Sequence, residues 1–284
     1  MLKHKIAGLL AVLILLISAT GCTNIRFTTG TGKNRFAVCG NYSISVQAAD
    51  ILISERKYSY EDLFNNEIWS RSVGDMTMEE YLLSDIKTLA GNVIYLNMMA
   101  DDMQINLTGD EEERISEYAE DYAEDSGFDK ADVEELLQML LIAEKSFYAM
   151  TEDVDTEVST DEARTISVQY MFFAVNDDVT DRMAENKASE ALQKIEDGTD
   201  FLTLAEEQSD DSIHSMEFYK GIYDKDFETA AYKLETGQVS SVVETEYGYY
   251  IIKCINDNIE SDTAKRKSEI VLKRREELFA DKFR

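Results

Sequence analysis

The sequence predicts an α+β protein in two parts: a helical N-terminal domain completed by a C-terminal helix, and an α+β domain inserted between them. Three observations lead there. From Phe36 to Thr156, after a short strand-like start, apolar residues recur at three- and four-residue steps, the period of amphipathic helices. From Arg164 the rhythm changes to β-branched and aromatic runs interleaved with short helical stretches. The last segment, Asp262 to Arg284, is helical again, and its apolar set of Ile270, Val271, Leu272, Leu278, Phe279 and Phe283 needs a groove to lie in. Domain boundaries follow at 1–21, 22–35, 36–160, 161–258 and 259–284.

Composition bounds the function. The 284 residues carry 28 Lys+Arg against 57 Asp+Glu, a formal charge of −29 that repels phosphate backbones and excludes nucleic acid as a partner. Apolar residues at 44% supply a core, so disorder of the whole chain is excluded. There are 2 histidines, so chemistry needing an H-E-x-x-H zinc site is absent, and no calcium loop of the D-x-D-x-D-G kind occurs. No metal and no cofactor is expected. With 0 prolines, the chain's own folding is free of the slow prolyl isomerisation step.

The first residues read as a targeting signal. Lys3 and Lys5 precede an apolar run from Ile6 to Ile17, too short for a transmembrane helix of about 20 residues. Ser18-Ala19-Thr20-Gly21-Cys22 resembles a bacterial lipobox, in which the cysteine is lipidated and becomes the mature N-terminus, although Ala19 stands where Leu is usual. The alternative is an ordinary secretory signal with an incidental cysteine. Thr23 to Asn34 is polar and aperiodic and suits a tether. Cys39 and Cys254 remain; outside the cytoplasm a bridge is permitted, but two cysteines so far apart read better as separate buried thiols.

In the N-terminal part, Phe36 to Ile44 reads as strand and tight turn at Gly40-Asn41, and Ser45 caps a helix over Val46 to Lys57. Met78 to Met103 is a long helix whose face includes Leu82, Leu83, Ile86, Leu89, Ala90, Val93 and Ile94. Thr108-Gly109-Asp110-Glu111 has capping-box spacing and opens an acidic helix to about Asp125. Asp129 opens another, with a face of Val133, Leu136, Leu137, Leu140, Leu141, Phe147 and Tyr148. Phe36 to Thr160 holds 29 acidic and 7 basic residues, a net of −22, while Asp262 to Arg284 holds 8 basic and 5 acidic. That contrast pairs the terminal helix with the acidic helices. The acidic run Glu111 to Asp125 reads as a solvated helix face, the alternative being a cation-binding or client-facing surface.

In the inserted part, Thr165 to Val175 is a strand, about Asp178 to Glu196 a helix stopping at Asp197-Gly198, Phe201 to Gln208 a short helix, and Ser209 to Ile222 a loop. Asp226 to Leu234 is a helix and Gly248 to Ile255 a closing strand.

Phe227-Glu228-Thr229-Ala230-Ala231-Tyr232-Lys233-Leu234-Glu235-Thr236-Gly237-Gln238-Val239-Ser240, followed by Glu246-Tyr247-Gly248-Tyr249-Tyr250-Ile251-Ile252-Lys253, resembles the C-terminal half of a parvulin-type peptidyl-prolyl isomerase domain. Phe201-Leu202-Thr203-Leu204-Ala205-Glu206-Glu207-Gln208-Ser209-Asp210-Asp211 continues the resemblance upstream. With the lipoprotein signal, the helical N-domain and the basic terminal helix, the whole is similar to extracytoplasmic foldase lipoproteins of the PrsA/SurA type. The resemblance implies a chaperone-like N-terminal domain, unfolded or partly folded exported polypeptides as partners, and a membrane anchor on Cys22.

The family's histidine positions carry tyrosine here. Val168-Gln169-Tyr170-Met171-Phe172 places Tyr170 at the first, and Tyr250 stands at the second. Both can donate a hydrogen bond and neither titrates near neutrality. After Asp211 the chain is several residues short of the family's Gly-rich turn. The resemblance implies Asp211, Tyr170 and Tyr250 as the catalytic set, with Phe227, Tyr223 and Phe172 as the apolar socket for a proline ring. Prolyl rotation removes amide resonance across a barrier near 20 kcal/mol, so a catalyst must bind the twisted amide better than either planar form, without a covalent step. Three readings stay open: an isomerase of modest rate, a non-catalytic chaperone built on a degenerate parvulin unit, and a structural surface lipoprotein.

Overall fold

The computed structural model describes residues 26–27 and 34–282. The proposed signal, Cys22 and most of the proposed tether lie outside the described residues. The chain divides into two compact units, one comprising the described residues up to Val154 together with those from Arg274, the other Asp155–Lys273. In sequence the second unit, an α+β body, is thus inserted between the two segments of the first, which is helical. No helix among the described residues is long and apolar enough to cross a membrane.

The helical unit opens with a three-stranded antiparallel sheet of β1 (Arg26–Phe27), β2 (Arg35–Cys39) and β3 (Tyr42–Ser45). Cys39 pairs with Tyr42 across the expected two-residue turn, which Gly40 enters at φ +58, a conformation glycine adopts without steric penalty. Ser45 caps α1 (Val46–Phe64), accepting from the Ala48 amide at 3.0 Å. The helix runs past the expected Lys57 because no Gly or Pro interrupts it, although its last residues Leu63 and Phe64 are exposed. A 3₁₀ turn (Asn66–Ser70) and a small hairpin, β4 (Ser72–Val73) and β5 (Met76–Thr77), follow, neither visible in the apolar pattern.

Three longer helices form the body. α2 (Met78–Met103) starts at a capping box in which Thr77 and Glu80 satisfy each other's amides. α3 (Gly109–Ser126) starts at the expected Thr108–Glu111 box and ends at Gly127, φ +79; α4 (Lys130–Met150) is capped by Asp129. Ile86, Leu89, Val93, Ile94 and Leu96 of α2 are buried, as are Val133, Leu136, Leu140 and Phe147 of α4. Buried Asn97 donates to the Val93 carbonyl at 2.8 Å and to the Met139 carbonyl at 2.9 Å, tying α2 to α4. Leu83 and Tyr148 are 40% and 39% exposed, so the expectation that both face the core fails. Each follows a buried residue by one position, and 100° of rotation carries it off the stripe.

The terminal helix α9 (Glu260–Lys282) reaches the helical unit through its last turns. Phe279, 2% exposed, packs edge-on against Phe147 at 5.5 Å and Tyr95 at 6.5 Å. Arg275 donates to the Thr151 carbonyl at 2.6 Å and hydroxyl at 2.9 Å, and Lys282 to the Met150 carbonyl at 2.6 Å. These cations meet carbonyls at the negative dipole end of α4. Charge complementarity therefore works here through a helix end. Ile270, Val271, Leu272 and Leu278 are only partly buried, and Phe283 lies outside the described residues. The first half of α9 belongs to the inserted unit, where Thr263 accepts from the Thr165 amide and Arg266 lies 3.8 Å over the Tyr219 ring.

The inserted unit begins with one helical turn, α5 (Thr160–Ala163), and is built on a four-stranded antiparallel sheet ordered β7 (Ser215–Tyr219), β6 (Thr165–Ala174), β9 (Gly248–Asn256), β8 (Val243–Thr245). β7 corrects the expected Ser209–Ile222 loop: it is an edge strand with Phe218 as its single buried residue, too little alternation to register as a strand. β8 was likewise not expected. Period-2 alternation of β6 and β9 divides the core. Met171, Phe173, Tyr249 and Ile251 pack on α6 (Asp181–Glu196) and α7 (Phe201–Gln208); Ile166, Val168, Tyr170 and Ile252 pack with α8 (Lys225–Ala231) on the opposite face. Gly248 sits opposite Ala174 at φ +141, where a Cβ would lie 2.2 Å from the Phe173 carbonyl oxygen, so β9 can enter this register only with glycine there. Cys39 and Cys254 are separate, buried, free thiols.

Phe279→Ala is expected to destabilise the helical unit by about 3–5 kcal/mol, as a large aromatic lost from a packed site. Urea unfolding followed by Trp69 emission checks it; an unchanged midpoint would show that the end of α9 contributes nothing there.

Candidate functional site

One face of the inserted sheet carries a continuous aromatic surface. β6 supplies Tyr170 and Phe172, and the register opposite Phe172 brings in Tyr250 of β9. Those two rings stack at 4.6 Å. Phe227 stands edge-on to Tyr250 at 5.1 Å and to Tyr170 at 6.1 Å, and Tyr223 meets Phe227 at 6.1 Å and Phe218 at 5.2 Å. All six residues expected for the inserted-domain site are therefore in one place, because Asp211 is there too: the Tyr170 hydroxyl donates to its carboxylate at 2.7 Å. Phe227 and Tyr170 are buried at 3% and 4% exposure, whereas Tyr223 is 45% exposed and forms the rim.

Local sequence explains the placement. Asp224 caps α8 by accepting from the Asp226 and Phe227 amides, which turns Phe227 toward the sheet in the first turn. Glu228 accepts from the Gly221, Ile222 and Tyr223 amides at 2.8–2.9 Å, organising the loop that carries Tyr223. Ser209 accepts from the Phe172 amide at 3.0 Å and from the Asp211 amide at 3.3 Å, fixing the carboxylate relative to β6. Glu228 and Ser209 were not among the expected site residues, although both lie inside the segments that carry the resemblance. A residue whose role is to hold backbone leaves no chemical signature of its own.

The electrostatics keep the tyrosines neutral. Burial first, and then the hydrogen bond to Asp211, raise the Tyr170 phenol well above its ordinary range. Burial, then the Asp211 and Asp224 carboxylates, raise Tyr250 also. For Asp211 burial pushes the carboxyl up, but hydrogen bonds from Tyr170 and from the Ile213 and Ser212 amides outweigh it and leave it below its usual range. The Tyr250 hydroxyl has no hydrogen-bond partner among the described residues and is open to a ligand. The ring Nδ1 of His214 is buried without a partner, and the site meets this residue through its carbonyl, which accepts from the Tyr170 amide at 3.0 Å. Among the described residues no group of three or more His, Cys, Asp or Glu side chains is placed to hold a metal ion.

Comparison with known proteins places this site in a known domain. Residues 170–256 match the rotamase family model, described as a PPIC-type PPIASE domain, and this range spans all six site residues. The foldase protein PrsA of Clostridium acetobutylicum is 26% identical over 88% of this chain and 83% of its own length. Residues 170–256 are thus a PPIC-type parvulin domain, and over most of its length the chain is similar to PrsA foldases. The PrsA of Caldanaerobacter subterraneus is 24% identical over 89% of the chain and 82% of its own length. In the foldase protein PrsA 3 of Bacillus anthracis identity rises to 44%, but over 24% of this chain and 26% of that protein. A crystal structure of a peptidylprolyl isomerase (PrsA) from Bacillus cereus aligns over 88% of this chain and 90% of its own at 22% identity, with a TM-score of 0.39.

Tyr170→Phe in this parvulin domain is expected to cost about 1–2 kcal/mol, the loss of one partly buried bond to a charged acceptor. The Asp211 carboxyl is depressed in the folded state. Its contribution is therefore fully present above its unfolded value near 3.9 and is lost as pH falls through the lower folded value. Thermal unfolding by circular dichroism should show the deficit undiminished from about pH 7 to about pH 5 and shrinking below about pH 3; a deficit that grows in acid would contradict the assignment.

Proposed function

We propose that the chain is a membrane-anchored extracytoplasmic foldase that holds unfolded exported polypeptides, with a parvulin domain whose prolyl isomerase rate is low or nil. The observation that carries this is the Tyr170–Asp211 bond at 2.7 Å. In this reading Tyr170, Asp211 and Tyr250 are the groups that face the substrate amide, and Phe227, Tyr223 and Phe172 form the socket for the proline ring. Tyr170 and Tyr250 occupy positions where the family carries histidine. With its one proton committed to Asp211, Tyr170 presents no donor to an amide, and of the two tyrosines at the histidine positions Tyr250 is the one whose hydroxyl stays free. An aromatic socket still binds an apolar segment by burial, which needs no alignment with a twisted amide. Binding thus survives where differential binding of the transition state is weakened.

A second reading, a fully active isomerase, is favoured by the unpartnered Tyr250 hydroxyl, which can donate to the prolyl carbonyl. An isomerisation assay on proline tetrapeptides, run beside suppression of aggregation of an unfolded client, separates the two. The expected result is little or no rate acceleration together with protection of the client. Turnover that falls on Asp211→Ala or Tyr250→Phe would establish the active enzyme instead.

Anchoring belongs to the same proposal. Cys22 carries the lipid, and the extracytoplasmic face of the membrane is the location, as the apolar run before it and the polar stretch after it support. Cys22→Ala is expected to release the chain from the membrane fraction or leave it unprocessed. Unchanged processing and retention would remove the anchor from the account.

A further inference from the structure

The helical unit contains a cleft that the parvulin site does not use. It lies between α1 and the end of α3, has a volume of about 330 Å³, and is lined by Ser54, Glu55, Tyr58, Tyr118, Tyr122, Asp125, Ser126 and Phe128. Four of these eight are aromatic and two are carboxylates, and no lysine or arginine lines it.

The back wall is fixed. Tyr122, 7% exposed, stacks on Phe128 with ring planes 11° apart, and its hydroxyl donates to a Glu55 carboxylate oxygen at 2.6 Å. Ser126 holds the turn between them by donating to the Tyr122 carbonyl. Tyr58 stands 43% exposed at the mouth. Neither Glu55 nor Asp125 has a basic partner among the described residues. The nearest cations in sequence are engaged elsewhere: Arg56 with Asp85 at 2.8 Å, Lys57 over Trp69, and Lys130 with Glu120 at 2.9 Å.

Aromatic faces attract cations, and most strongly those that shed water easily. Guanidinium is planar, weakly hydrated and able to stack on rings while it donates to carboxylates, so this wall and these two acids suit it better than an ammonium or a metal ion. The surrounding field has the same sign, because Phe36 to Thr160 carries 29 acidic against 7 basic residues. We propose that the Glu55–Tyr58–Tyr122–Asp125–Phe128 cleft is a binding site for an arginine side chain of an unfolded polypeptide. The source of that arginine rests on the foldase reading; the cleft itself does not. Clients are then gripped at two kinds of position, an apolar segment on the parvulin domain and an arginine on the helical unit.

The test uses the purified full-length chain and two fluorescent, proline-free apolar peptides that differ at one position, arginine in one and its neutral isostere citrulline in the other. The arginine peptide should bind about three- to fivefold more tightly, the scale of a partly exposed cation–π contact. Asp125→Asn, Tyr58→Leu and Glu55→Gln should each reduce that preference and leave citrulline binding unchanged. The last retains an acceptor for Tyr122, and the first two alter exposed side chains, so circular dichroism should report an unaltered fold. Equal affinity for both peptides, with clients still protected from aggregation, overturns the cleft assignment and leaves the foldase reading intact. Binding of neither peptide, with no protection of clients, overturns both. Variant-sensitive binding to phosphatidylcholine vesicles in place of the peptide assigns the cleft to a quaternary ammonium headgroup, and loss of self-association in the variants assigns it to a second copy; either result overturns the proposal.

Discussion

The antiparallel pairing of β6 with β9 is the constraint on which the inserted unit depends. From Val168 opposite Cys254 to Ala174 opposite Gly248, each strand residue is committed to one face or the other. A slip of one residue by β6 against β9 would turn Tyr170 and Phe172 toward α6 and α7, away from Tyr250, and bring Met171 and Phe173 out. Gly248 guards that register sterically, since any side chain there meets the Phe173 carbonyl. The aromatic site follows from the pairing: two strands supply one ring row, and α8 closes it from the side with Phe227.

A different constraint organises the helical unit. Its helices carry a large excess of acid, which a solvated face tolerates but which contributes nothing to packing. Apolar burial between α2 and α4, with Asn97 joining them internally, provides the cohesion. The end of α9 adds Phe279 to that core and places Arg275 and Lys282 on carbonyls at the C-terminus of α4. Few cations are available in this unit, and these two sit on carbonyls at a helix's negative end.

In the proposed function the two units offer an extended polypeptide surfaces of different character. On the parvulin domain the surface is aromatic, with Tyr170 and Asp211 tied to each other and the Tyr250 hydroxyl left free. On the helical unit it is acidic, with rings beneath the carboxylates. Contacts of this kind recognise composition, apolar side chains and positive charge, with little demand on sequence. That is the property a protein needs if it is to hold many different chains.

The sequence alone determined the longer helices and the main strands, because these rest on local period and capping, and the insertion followed from the apolar face and basic charge of the terminal helix. Ser45, Thr108 and Asp129 cap the helices expected of them, and all six residues expected for the inserted-domain site converge. Where the local signal was thin, the reading failed: β7 buries one residue, and Leu83 and Tyr148 sit one step beyond a buried stripe. The Tyr170–Asp211 bond was beyond its reach, since which hydroxyl meets which carboxylate 41 positions away depends on how a loop folds back on a strand. So was the cleft between α1 and α3, whose rings and acids are scattered from Ser54 to Phe128 and belong to separate helices. Period and capping act within a few residues and can be read along a chain; sites are made by segments that only tertiary packing brings together.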